Sequence, residues 1–140
     1  MHSFFRVRRI NFLSPRLFIL ALLFVSWSNR AIAQEAVRFE SAAGGTTIPG
    51  ELYRPEAAGT LAAIVVLHDC SGLGRFSSGA PRRWARFLVP LGYVVLVPDS
   101  FTPRGLEGGV CTETNQKLQR SVNGEVRAAD AIGALEWLRR

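Results

Sequence analysis

The sequence predicts an α/β fold in which an antiparallel hairpin precedes a parallel β-α-β-α unit. Residues 62–67 and 93–97 form apolar runs without polar alternation, which is typical of strands buried on both faces of a parallel sheet. The segment between these runs has the apolar periodicity of a helix. Strand, helix and strand therefore follow one another in the order of a parallel crossover.

A hairpin is predicted before these strands. Residues 36–41 alternate apolar and polar side chains, as in a half-buried strand, and Gly44 and Gly45 then signal a turn. Residues 46–53 form the second strand. Because Pro49 and Gly50 interrupt it, we expect this strand to lie at an edge of the sheet.

Two helices are predicted. The first begins at Pro81 and ends near Leu88, because Pro90 cannot continue the helical hydrogen bonds. Its apolar face, which is expected to pack on the sheet, is formed by Trp84, Phe87, Leu88 and Leu91. Its opposite face, which is expected to be in solvent, is formed by Arg82, Arg83 and Arg86. Asn123 caps the second helix. Its expected buried face is Ala128, Ala131, Ile132, Leu135 and Leu138, with Trp137 against a neighbouring element.

Residues 1–33 have the pattern of a secretory signal peptide. Arginines precede the apolar residues 17–27, and Ala31 and Ala33 have the spacing that a signal peptidase recognises. We expect cleavage before Gln34, export to the periplasm or the medium, no stable membrane anchor and one domain over residues 34–140. An uncleaved N-terminal anchor is the alternative.

The basic charge of the chain comes mainly from this leader. The net charge is +6, from 17 basic and 11 acidic residues. The leader holds five of the basic residues and none of the acidic ones, so residues 34–140 carry +1. Nucleic-acid binding requires a basic face, and this composition does not support it.

Cys70 and Cys111 are the two cysteines of the chain. In an exported protein such a pair favours a disulfide, and both residues are expected in loops at the same end of the sheet. Two free, partly buried thiols are the alternative.

Several kinds of active site are disfavoured around the end of the first apolar run. His68, Asp69 and Cys70 have the residue types of a triad, but adjacent side chains at a strand end diverge. Cys70 as a nucleophile lacks the first glycine of a Gly-x-Cys-x-Gly turn. The nearby glycines fit no phosphate-binding pattern, and the cysteines lack zinc-ligand spacing, so no cofactor and no metal are expected.

The chain resembles the N-terminal half of the dienelactone hydrolase family, α/β-hydrolases that cleave esters and lactones. The resemblance rests on the order and spacing of four pieces: Val-Val-Leu-His-Asp-Cys-Ser-Gly-Leu at 65–73, Trp-Ala-x-Phe-Leu at 84–88, Leu-Gly-Tyr-Val-Val-Leu-Val-Pro-Asp-Ser-Phe-x-Pro-Arg-Gly at 91–105, and Arg-Ala-Ala-Asp-Ala-x-x-Ala-Leu-Glu-Trp-Leu at 127–138. It implies an incomplete α/β-hydrolase sheet.

The resemblance also implies roles for single residues. The loop after the first central strand of this family gives a backbone N–H to the oxyanion hole, which falls on Cys70, with Asp69 as second choice. Founding members of the family carry an arginine that binds the substrate carboxylate. Arg104 lies near the corresponding position, but one residue further along the chain from the strand-end Asp99. The nucleophile, acid and histidine are expected after Arg140. The resemblance therefore implies a fragment of an exported hydrolase of small esters or lactones, inactive alone. A small non-catalytic exported binding module is the alternative.

Overall fold

The structure, a computed structural model, describes residues 32–140. The strands are β1 (Ala33–Glu40), β2 (Thr47–Arg54), β3 (Ala63–Val65) and β4 (Val94–Pro98). The helices are α1 (Ala80–Leu88), α2 (Gln116–Arg120) and α3 (Gly124–Leu138), with 3₁₀ turns at Val89–Leu91 and Thr102–Arg104. Nearly all of the predicted leader lies outside the described residues, so signal cleavage stays a prediction.

The four strands form one mixed sheet in the order β1-β2-β4-β3, which confirms the predicted α/β fold. β1 pairs antiparallel with β2, β2 antiparallel with β4, and β4 parallel with β3. The crossover from β3 through α1 to β4 is therefore the predicted parallel unit. It places the carboxyl ends of β3 and β4 at the same end of the sheet.

The prediction that the second strand lies at an edge is wrong, since β2 lies between β1 and β4. Paired antiparallel residues point both N–H and C=O toward the same neighbouring strand. The carbonyl of Pro49 accepts a hydrogen bond from the Asp99 N–H at 2.8 Å, one residue beyond the last β2–β4 pair, Gly50 with Pro98. An N–H at position 49 would point to the same side, where the pairing with β4 has already ended. Proline is therefore tolerated here, because no hydrogen bond of the ladder is lost.

α1 buries a face that shares only Leu88 with the one that its bulky residues predict. Trp84, Phe87 and Leu91 are 57%, 59% and 60% exposed, whereas Pro81 and Ala85 are buried. The Arg82 guanidinium, expected in solvent, donates to both carboxylate oxygens of Glu51 on β2 at 2.6–3.0 Å. This ion pair and the small Ala85 side chain fix the rotation of the helix, so its bulky stripe stays at the surface.

α3 also turns a face of small residues to the sheet. Asp130, Gly133 and Ala134 are buried, whereas Ile132 and Leu135 of the predicted face are exposed. A Cβ at Gly133 would overlap the backbone carbonyl at the end of β1, so glycine permits this close approach. Three predictions for this helix are confirmed: the Asn123 side chain caps the Val126 N–H, and both Trp137 and Leu138 pack against the sheet.

β4 is buried on both faces, as its unbroken apolar run predicts. Leu96 packs with α3 on one face, and Val95 and Val97 pack with α1 on the other. A third cluster, formed by Phe101, Leu106 and Val122, lies within the long connection between β4 and α3. None of the helices described within residues 32–140 is long and apolar enough to cross a membrane.

Candidate active site

The chemistry-bearing residues lie where β3 and β4 end. The chain after β3 continues through His68, Asp69 and Cys70, and the chain after β4 continues through Asp99 and Ser100. Because the two strands are parallel neighbours, both loops start from the same end of the sheet. In open α/β sheets ligands bind beyond the carboxyl ends of the strands, so this end is the candidate site.

His68 joins the two strand ends and does not face solvent. Its side chain is 2% exposed, its Nε2 accepts the Ser100 N–H at 3.2 Å, and its Nδ1 lies 2.8 Å from the Asp69 carbonyl oxygen. Since Nε2 accepts, the ring proton lies on Nδ1 and is donated to that oxygen. Burial lowers the pKa of His68 below its ordinary value, which keeps the imidazole neutral.

The Asp69 carboxylate is held within its own loop. Oδ1 accepts the Ser71 N–H at 2.8 Å and the Ser71 hydroxyl at 2.5 Å, and Oδ2 accepts the Ser78 hydroxyl at 2.7 Å. These hydrogen bonds lower the pKa of Asp69 to about 2. The side chain therefore shapes the turn, as an aspartate in an Asx turn does, and stays ionised at neutral pH.

Cys70 connects this loop to the one after β4. It forms a disulfide with Cys111, with 4.9 Å between the two Cα atoms. The Cys70 carbonyl also accepts the Val110 N–H at 2.6 Å. Gly109 has φ +80°, and a Cβ there would lie 2.6 Å from the Cys70 carbonyl oxygen, so only glycine allows the loops to approach this closely. The loops after β3 and β4 thus form one cross-linked unit.

The carbonyls of three consecutive residues in the turn, His68, Asp69 and Cys70, all accept hydrogen bonds, whereas their own N–H groups donate none within residues 32–140. The His68 carbonyl accepts a hydrogen bond from the Arg127 guanidinium, and the Cys70 carbonyl accepts one from the Val110 N–H. The Asp69 carbonyl accepts from the His68 ring at 2.8 Å and from the Gly72 N–H at 3.2 Å. This arrangement presents the adjacent N–H groups of Asp69 and Cys70 to a ligand that carries negative charge.

Arg104, the predicted substrate-binding residue, forms a bidentate ion pair with Asp130. Its guanidinium nitrogens lie 2.9 and 3.0 Å from the two carboxylate oxygens, and one of them also donates to the Ser100 carbonyl at 2.6 Å. Asp130 is fully buried. These contacts favour a structural role in fastening the loop after β4 to α3, and substrate binding by Arg104 stays a prediction.

Arg127 was not predicted as a site residue, and it reaches the candidate site from the first turn of α3. Its side chain is half-buried, its guanidinium carbon lies 5.6 Å from the centre of the Phe101 ring, and its Nε is buried without a partner among residues 32–140. Burial lowers the pKa of Arg127. One signal was available in the sequence, because a cation in the first turn opposes the helix dipole and therefore calls for another explanation.

Metal ligands are not gathered in the part of the chain that the structure describes. Within residues 32–140, no group of three or more His, Cys, Asp or Glu side chains is placed to hold a metal ion.

Comparison with known proteins shows a fold relationship. No protein-family model matches the chain, and no curated protein matches it. Solved structures do match. A structure named m3DLH is 26% identical over 77% of this chain and 43% of its own, with a TM-score of 0.55. A putative dienelactone hydrolase from Klebsiella pneumoniae is 22% identical over 77% of this chain and 45% of its own, with a TM-score of 0.54.

A third similar structure is a dienelactone hydrolase-like promiscuous phosphotriesterase from metagenomic libraries. It is 22% identical over 78% of this chain and 43% of its own, with a TM-score of 0.55. The chain thus spans less than half the length of each of these three structures. Its fold corresponds to part of the α/β-hydrolase fold that the dienelactone hydrolase-like structures have.

Proposed function

We propose, from this partial fold, that the chain is the N-terminal portion of an exported dienelactone hydrolase-like enzyme that cleaves small carboxylic esters or lactones. The observation that carries the proposal is the turn after β3, where the carbonyls of His68, Asp69 and Cys70 accept hydrogen bonds and the N–H groups of Asp69 and Cys70 donate none within residues 32–140. In this proposal the turn supplies the oxyanion-hole donor, Cys70 first and Asp69 second.

The chemistry follows from where charge develops during ester cleavage. When a nucleophile attacks an ester carbonyl, its oxygen becomes an oxyanion, and a fixed N–H donor stabilises that charge without having to reorganise. One such donor is worth about 10²–10³-fold in kcat. The disulfide and the contacts of Gly109 supply the fixed geometry. The nucleophile, acid and histidine belong, in this proposal, to the portion of the fold that the chain does not span.

The protein is, in the same proposal, exported and built of one hydrolase domain after a signal peptide. A disulfide is compatible with an exported protein, because such bonds persist in oxidising compartments. Residues 1–33 are proposed as a signal peptide that is cleaved before Gln34, and residues 34–140 as part of one hydrolase domain. We expect no ester turnover from the 140-residue chain alone.

A hybrid enzyme tests the proposed function. Residues 61–140 replace the corresponding segment of the dienelactone hydrolase-like phosphotriesterase, and hydrolysis of p-nitrophenyl acetate and of an aryl phosphotriester is measured. In this hybrid, Cys70→Pro removes the backbone donor, with Cys111→Ser present so that no lone thiol remains. The matched control, Cys70→Ser with Cys111→Ser, loses the same disulfide and keeps the N–H.

The proposal expects a folded, active hybrid in which the proline variant has a kcat about 10²–10³-fold below that of the serine control, with a similar KM. A folded hybrid without turnover argues against a catalytic role for this segment. Equal kcat in the two variants excludes the Cys70 amide as the donor.

The second candidate function is a non-catalytic exported interaction module. Exposed apolar side chains favour it, since the ring centres of Trp84 and Phe87 on α1 lie 5.9 Å apart at the surface, and Leu91 is exposed in the 3₁₀ turn that follows. Contiguous exposed apolar surface is typical of a site for a protein partner. An inactive but folded hybrid, together with a monodisperse complex of the 140-residue chain with a partner protein, would favour this candidate.

A further inference from the structure

We propose that Arg127 is a positioning residue that aims the Asp69 N–H, and that the His68 ring does the same for the Cys70 N–H. The inference rests on the proposed function, because it assigns both residues to the oxyanion loop. The contacts that carry it are the hydrogen bond from Arg127 to the His68 carbonyl and the 2.8 Å contact from the His68 ring to the Asp69 carbonyl.

The planarity of the peptide bond connects these contacts to the N–H groups of Asp69 and Cys70. In a trans peptide the C=O and the following N–H lie in one plane and point in opposite directions, and the described residues contain no cis peptide. Fastening the His68 carbonyl therefore fixes the direction of the Asp69 N–H. Fastening the Asp69 carbonyl fixes the Cys70 N–H in the same way. Each of these two N–H groups thus follows a carbonyl that accepts a hydrogen bond from a side chain, and the Asp69 carbonyl accepts a second one from the Gly72 N–H at 3.2 Å.

The surroundings of Arg127 indicate that the carbonyl contact is its main role. Among the described residues, Arg82 and Arg104 have carboxylate partners, whereas Arg127 forms no ion pair and its Nε is buried without an acceptor. A half-buried cation without a counter-ion costs stability, and a position in the first turn of a helix adds to that cost. The charge-assisted hydrogen bond to His68 is the contact that its planar guanidinium supports here.

The contacts on His68 make its ring equally fixed. Nε2 accepts the Ser100 N–H at 3.2 Å, and the Phe101 ring packs edge-on with 4.3 Å between ring centres. The ring therefore cannot turn without breaking a contact to the loop after β4. Arg127 packs over the same Phe101 ring, so both positioning side chains share one support.

Backbone nitrogen-15 resonances of the 140-residue chain test this directly. The nitrogen of a peptide group is less polarised when the carbonyl of the same peptide group no longer accepts a hydrogen bond from a charged side chain; for the Asp69 nitrogen this is the His68 carbonyl. Arg127→Met should therefore move the Asp69 resonance upfield more than the Cys70 resonance, and Arg127→Lys should restore part of the shift. His68→Gln should show the reverse order. Arg139→Met, at the exposed far end of α3, is the control and should move neither.

The crossed pattern separates positioning from general stability. A merely structural role moves both resonances together in either variant, and this outcome would overturn the inference, as would an unchanged Asp69 resonance in Arg127→Met. If Arg127→Met does not fold, Arg127→Gln and Arg127→Lys take its place. An upfield Asp69 shift larger for Gln than for Lys supports the inference, and equal shifts refute it.

The inference and the proposed function can fail separately. If the crossed pattern appears but the hybrid enzyme has no turnover, the turn is positioned as inferred and the catalytic proposal is wrong. If the hybrid is active and the crossed pattern is missing, the catalytic proposal stands and the positioning by Arg127 and His68 is wrong. In an active hybrid, Arg127→Met should lower kcat with little change in KM, because an aimed donor acts on the transition state.

Discussion

Removing the Cys70–Cys111 disulfide should destabilise the folded chain by about 4 kcal/mol. The bond joins residues 41 positions apart. On the chain-entropy relation, closing a loop of this length removes about 4 kcal/mol of conformational freedom from the unfolded state at 25 °C. The perturbation is the double variant Cys70→Ser, Cys111→Ser, which keeps side chains of similar size at both positions.

The structure indicates that most of this loss acts through the unfolded chain. The loops remain joined by the hydrogen bond from Val110 to the Cys70 carbonyl and by the close approach of Gly109. The folded state should therefore keep its loop arrangement without the covalent bond. The unfolded state of the variant is less restricted, so its m-value should rise, since m scales with the surface exposed on unfolding.

Urea denaturation followed by far-ultraviolet circular dichroism gives both quantities. The oxidised chain is compared with the double-serine variant, and the wild-type chain under reducing conditions serves as a second measurement of the same loss. A loss below about 1 kcal/mol with an unchanged m-value would refute the chain-entropy account of this bond.

Three further predictions concern other contacts. Asp130→Asn should lower the free energy of unfolding by about 3–5 kcal/mol, because it leaves the Arg104 guanidinium without its charged, buried partner. In urea denaturation the double variant Asp130→Asn, Arg104→Met should recover much of this loss, and no recovery would contradict this account. Gly109→Ala should cost more than Gly105→Ala: both positions have positive φ, but only the first is crowded by backbone, so equal losses would refute the steric argument. The pKa of His68 in the folded protein lies below its ordinary value of 6.5. Just below pH 6.5 the unfolded chain therefore binds a proton at His68 that the folded protein does not bind, and the free energy of unfolding should fall as the pH drops from 7.5 to 5.5. His68→Gln should lack that slope, and an equal slope in both proteins would exclude His68 as its origin.

The sequence was sufficient for the order in which strands and helices follow one another. It was insufficient for the places of β2 and β3 in the sheet, where β3 is a partly exposed edge strand, and for the faces that the helices bury. Unbroken apolar runs and the glycine turn predict the hairpin and the parallel crossover, because these signals are local. Periodicity in α1 and α3 identifies the bulky apolar stripes. Burial is instead decided by the small side chain of Ala85, by the close backbone approach at Gly133 and by the Arg82–Glu51 ion pair, which depend on elements distant in sequence.

The candidate site shows the same division. The turn after β3, with Asp69 and Cys70, can be located from the sequence, because a strand end followed by small residues is a local pattern. The pairing of Arg104 with Asp130 and the hydrogen bond of Arg127 to a backbone carbonyl join residues 26 and 59 positions apart. No local sequence pattern predicts a hydrogen bond between a side chain and a residue so distant in the sequence.

The position of β4 in the sheet has a consequence for the order in which this protein folds. Among the described strands, β4 alone joins the hairpin to β3, and it is the last of the four to leave the ribosome. Until residue 98 is available, β3 has no partner among them, and an isolated two-stranded hairpin is only marginally stable. Formation of the sheet therefore awaits one late segment, so substitutions within β4, such as Leu96→Ala, should slow folding rather than mainly speed unfolding.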